Sequence, residues 1–133
     1  MRPRSVLIAD ESLPVRTVLT DILRKLGQPP DTLHVATTQE EVLEAYRSGR
    51  PDTVFMEMWI EGKDTLELIE AMFSDNPRLK IVLVTAEART SPDVREAIRM
   101  GVFDYIEKPL RMEKIRNTMS AILEEEGGVE RLR

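Results

Sequence analysis

Apolar residues are arranged along this chain in two alternating patterns. Val6-Leu7-Ile8-Ala9, Val54-Phe55-Met56 and Ile81-Val82-Leu83-Val84 are short unbroken runs, the pattern of strands buried on both faces of a parallel sheet. Thr32 to Ala36 and Val102 to Ile106 fit two further strands. Between the runs, apolar positions recur at steps of three and four, as in Val15, Val18, Leu19, Ile22, Leu23 and Leu26, which predicts helices with one buried face. Helix boundaries are marked as well. Pro14 suits a first turn, Thr38-Gln39-Glu40-Glu41 has capping-box spacing, and Ser91-Pro92-Asp93 reads as a cap followed by a first turn. Asp64 is expected to open the third helix, and the last helix is expected from about Arg111 to Glu126. Gly27, Gly49, Gly101 and Gly127-Gly128 stand at the far ends of four predicted helices. Five strands alternating with five helices predict an α/β domain, a single doubly wound five-stranded parallel sheet with helices on both faces.

Length and composition narrow the picture. The 133 residues suit one domain over residues 1–126, with a short C-terminal tail at 127–133 and no output domain expected. Cysteine is absent, which excludes disulfides and thiolate metal sites. No apolar run approaches the ~20 residues of a bilayer span, so the chain is expected to be cytoplasmic, without membrane contact. A net charge of -5 with mixed signs argues against nucleic-acid binding, which needs a basic face. His34, the one histidine, falls in the second predicted strand and reads as structural.

In a doubly wound sheet, ligands bind outside the carboxyl ends of the strands. The residues predicted there are Asp10 and Glu11 after the first strand, Glu57 after the third, Thr85 at the end of the fourth and Lys108 after the fifth. Three carboxylates at one rim require a compensating cation, either Lys108 or a bound hard metal such as Mg²⁺.

These pieces, Val6-Leu7-Ile8-Ala9-Asp10-Glu11 with Arg16, Val54-Phe55-Met56-Glu57-Met58, Val82-Leu83-Val84-Thr85-Ala86 and Tyr105-Ile106-Glu107-Lys108-Pro109-Leu110, resemble a response-regulator receiver domain from about Val6 to Leu123. The resemblance implies a flavodoxin-like strand order 2-1-3-4-5 and a cis Lys108-Pro109 bond. It also implies that Asp10, Glu11 and the carbonyl of Trp59 form a Mg²⁺ site, with binding expected to be weak. Thr85 and Lys108 would sense a phosphoryl group, and Tyr105 would be the switch aromatic. One position departs from the family: Glu57 stands where receivers carry the aspartate that accepts phosphate. Ile60-Glu61 and Thr65 also replace the usual Met-Pro and glycine.

The added methylene of Glu57 displaces its carboxylate by up to roughly 1.5 Å, and a shift of that size can reduce a positioned reaction on the order of a hundredfold. The expectation is therefore a stand-alone atypical receiver acting as a phosphorylation-independent interaction module, not an enzyme. The alternative is a working Mg²⁺-dependent phosphoacceptor in a histidine-kinase phosphorelay. A small-molecule binder is a third class, and no glycine-rich phosphate loop supports it. Each site residue also has a plainer reading: Lys108 as a neutraliser of the rim, Thr85 as a strand-end hydroxyl, Tyr105 as core. Trp59 is expected on an exposed loop. Partners, a histidine kinase or an effector, are expected on the face of the fourth helix, fifth strand and fifth helix, which carries Arg95, Arg99 and Lys114. A monomer or weak homodimer is expected.

Overall fold

Each central strand is buried on both faces, so its alternate side chains must be covered by helices from two sides. The computed structural model, which describes Pro3 and residues 5–125, meets that requirement with β1 (Val6–Ala9), α1 (Leu13–Lys25), β2 (Leu33–Ala36), α2 (Gln39–Gly49), β3 (Thr53–Met56), β4 (Trp59–Ile60), β5 (Lys63–Asp64), α3 (Leu66–Asp75), β6 (Lys80–Thr85), α4 (Pro92–Met100), β7 (Asp104–Glu107) and α5 (Met112–Glu124). The five longer strands form one parallel sheet in the order β2-β1-β3-β6-β7, the flavodoxin-like order expected. The expected tail at 127–133 lies outside the described residues.

Register divides the core. Val6, Ile8, Phe55, Val82, Val84 and Ile106 pack with Leu19 and Leu23 of α1 and Ile115 and Met119 of α5. Leu7, Ala9, Val54, Met56, Ile81 and Leu83 pack with Val42, Ile69, Met72 and Val94 of α2, α3 and α4. Fully burying such a side chain contributes roughly 1.5–3 kcal/mol, and both layers hold the strand ends at one rim.

Three local expectations are corrected. The segment after Glu57 is not a plain loop: β4 and β5 form an antiparallel hairpin with Trp59 opposite Asp64 and Ile60 opposite Lys63. Its two turn residues, Glu61 (φ 60) and Gly62 (φ 70), both have the positive φ that a tight two-residue hairpin requires. Asp64 therefore belongs to β5, and its Oδ1 accepts the Leu66 N–H at the start of α3. The last strand starts at Asp104 and not at Val102, because Gly101, at φ 115, ends α4 and the Val102 amide is spent on the carbonyl of Ala97.

Candidate functional site

At the rim, each strand end delivers the residue that follows it. The Asp10 amide continues the sheet to the carbonyl of Ala36, and that of Glu57 continues it to Ala9. The Lys108 amide reaches the carbonyl of Thr85, and the Lys108-Pro109 bond is cis. The Lys108 ammonium lies 2.9 Å from Asp10 Oδ2 and 2.7 Å from Glu57 Oε1, and all three side chains are largely buried. Burial alone would lower the Lys108 pKa, but the hydrogen bonds it donates to Glu57 and Asp10 and their two charges outweigh it, leaving the pKa above its ordinary value.

The second oxygen of Glu57 turns back on its own chain. Oε2 accepts the amides of Met58 at 2.5 Å and Trp59 at 3.2 Å. Thr65, fully buried, donates its hydroxyl to the carbonyls of Glu57 and Met58, both at 3.1 Å, and its amide also bonds Met58. The extra methylene of Glu57 is thus accommodated by folding the carboxylate against the following backbone.

Glu11 leaves the pair it is expected to form with Asp10. Its Oε2 accepts the Glu61 amide at 2.7 Å, securing the hairpin turn, while Arg16 holds the carbonyls of Asp10 and Glu11, both at 2.8 Å. Gln39 grips the same hairpin, donating its side-chain amide to the carbonyls of Ile60, Lys63 and Asp64 and its backbone amide to Glu61 Oε1.

The Mg²⁺ expected here needs free carboxylate oxygens. Asp10 already accepts Lys108 and the Ser12 amide, Glu57 accepts Lys108 and two amides, and Glu11 faces the hairpin. Among the described residues no group of three or more acidic or histidine side chains is placed to hold a metal ion. A divalent cation would therefore have to compete with the internal ammonium and the backbone amides for these carboxylates.

Thr85 is buried, and its Oγ1 accepts the Glu87 amide at 3.2 Å. The Tyr105 hydroxyl donates to the carbonyl of Glu87, and the Trp59 indole N–H donates to the Glu87 carboxylate. Tyr105 is buried among the α2–α4 layer, whereas Trp59 is 41% exposed. Burial pushes the Tyr105 phenol up, with the Glu107 charge adding to it. Arg95, Arg99 and Lys114 are exposed on α4 and α5, and Arg99 pairs with Glu96. Glu87, Gln39 and Ser12 carry site contacts that the sequence did not signal. Glu87 is a lone acid in a loop, and nothing in its spacing distinguishes it.

Comparison with known proteins agrees with this architecture. The family model described as Response regulator receiver domain matches residues 6–120. The chemotaxis protein CheY of Thermotoga maritima is 28% identical over 90% of this chain and 97% of its own length. Sporulation initiation phosphotransferase F of Bacillus subtilis is 24% identical over 92% and 96%. Against the nitrogen assimilation regulatory protein NtrX of Azorhizobium caulinodans identity is 26%, and the match covers 83% of this chain but about a quarter of that longer protein. The crystal structure of the receiver domain of NtrX from Brucella abortus superposes with a TM-score of 0.81 at 25% identity, covering 92% of this chain and 100% of that one.

Proposed function

We propose a function from one premise: this chain belongs to the response regulator receiver domain family. Receiver domains are signalling modules that work with histidine kinases and effectors, and they typically bind Mg²⁺ at an acidic pocket. Within that frame we infer that this chain is a phosphorylation-independent interaction module. The observation that carries the reading is the engagement of Glu57. Its carboxylate takes up the Lys108 ammonium and two backbone amides, donors that an incoming phosphoryl group would otherwise need.

A phosphoryl group brings about -1.5 to -2 charge and three acceptor oxygens, whereas Glu57 brings one charge and two. The site is therefore a partial imitation of a charged state, built into the sequence. Any Mg²⁺ binding is weak, since the ion competes with Lys108 for Asp10 and finds Glu11 engaged elsewhere. Output passes through another protein on the α4-β7-α5 face, where Arg95, Arg99 and Lys114 are accessible. The lack of cysteine suits a cytoplasmic setting.

The retained Asp10, Thr85 and Lys108 favour one second reading, a working phosphoacceptor. Incubation with acetyl phosphate and Mg²⁺ separates the two. Intact mass spectrometry is expected to show no adduct on the native chain and a labile adduct on Glu57→Asp. A phosphoryl adduct on the native chain that is lost in Glu57→Gln overturns the reading.

A further inference from the structure

Thr65 stands at the N-cap of α3, where a threonine hydroxyl ordinarily accepts an amide of the first turn. It makes no such bond. Asp64 Oδ1 takes the Leu66 amide instead, and the buried Thr65 hydroxyl turns back to share its one proton between the carbonyls of Glu57 and Met58. The Thr65 amide adds a second bond to Met58 at 2.9 Å, and the Thr65 carbonyl is fixed in α3 by the Ile69 amide.

A trans peptide is planar and sends its C=O and its N–H in opposite directions. The Glu57-Met58 and Met58-Trp59 bonds are both trans, since Lys108-Pro109 is the only cis bond among the described residues. Drawing the two carbonyls toward Thr65 therefore aims the Met58 and Trp59 amides the other way, where both meet Glu57 Oε2. Two successive amides converging on one oxygen form a small anion cradle. A glycine at 65 would keep the amide bond to Met58 but has no hydroxyl for Glu57.

We propose that Thr65 is a positioning residue for Glu57: its hydroxyl orients the two peptides that follow Glu57, so that their amides hold the carboxylate on its own chain. The departures at 57 and 65 then act as a pair. The longer acid reaches back to the amides, and the threonine turns the amides to receive it. The signalling meaning of this cradle rests on the interaction-module reading above, while its existence does not.

The test is amide hydrogen exchange on the ¹⁵N-labelled full chain without any phosphate donor, so its failure is distinct from that of the labelling experiment. Thr65→Val keeps the side-chain shape and removes the hydroxyl. It is expected to speed exchange at both Met58 and Trp59 on the order of tenfold, the worth of one ordinary hydrogen bond, while the amides of β6 keep their native rates. Thr65→Ser, which restores the hydroxyl, is expected to exchange like the native chain. With Glu57→Ala already in place, Thr65→Val is expected to add nothing at the two amides. Native rates at Met58 and Trp59 in Thr65→Val overturn the proposal, as does an equal acceleration with Glu57 present and absent. An acceleration that extends to β6 by the same factor is general loosening and overturns it too. If Thr65→Val does not fold, Thr65→Gly is put through the same comparison and decides the matter.

Discussion

Lys108 is the residue on which the rim depends, because it is the only cation that Asp10 and Glu57 share through the bonds described. Removing one partner of a buried ion pair typically destabilises by 3–5 kcal/mol, so Lys108→Met is expected to lose about 3 kcal/mol in denaturant unfolding. The same change frees two carboxylates for a metal. Added Mg²⁺ should therefore recover part of the loss in the variant. For the native chain, a dissociation constant of about 1 mM or weaker limits stabilisation at 1 mM Mg²⁺ to about 0.4 kcal/mol. Equal stabilisation of the two proteins would show that the native site takes the ion as it stands. At this scale the sequence is legible in part. Strand ends place Asp10, Glu57, Thr85 and Lys108 at one rim, but the direction of Glu11 is set by the Glu61 amide, a partner fifty residues away that no local pattern announces.

Helix ends show how far local chemistry reaches. Thr38 and Ser91 each accept an amide in the first turn of their helices, as the capping signals predict, and Ser12 does the same at α1 without having been signalled. The box at Thr38 is modified: Glu41 reaches past the cap to the Thr37 amide and hydroxyl, and those bonds lower its pKa. At the other end of a helix, Gly101 has open space where a Cβ would go, so any penalty for Gly101→Ala comes from backbone conformation alone. At φ 115 that penalty is expected to be about 1–2 kcal/mol in chemical denaturation; an unchanged midpoint would refute it. The long strands are readable because sustained apolar runs have a single outcome in a two-sided sheet. The β4–β5 hairpin is not, since strands of two residues carry no period and Glu61-Gly62 lacks the usual asparagine or aspartate before glycine.

Across the whole molecule, titration brackets the range of greatest stability. Lys108, Tyr46 and Tyr105 all have raised pKa values in the fold. Each contributes stability that is complete below its ordinary value of 10.5 or 10.0 and is lost as pH rises through the raised one. Asp75, held down first by the Tyr46 hydroxyl and then by the Arg50 charge, and Glu41 have lowered values. Their contributions are present above 3.8 and 4.5 and are lost as pH falls. Unfolding midpoints measured against pH are expected to stay level between about pH 5 and pH 10 and to fall on either side, with a smaller alkaline fall in Lys108→Met. An alkaline limb unchanged by that substitution would assign it to the tyrosines. The hairpin that Gln39, Glu11 and Thr65 immobilise bears on encounters with other proteins as well. A partner touching Trp59 meets a surface whose order was established during folding, so little conformational entropy remains to be surrendered on contact. The speed of association at that edge is then governed by diffusion and charge, without a wait for a loop to settle.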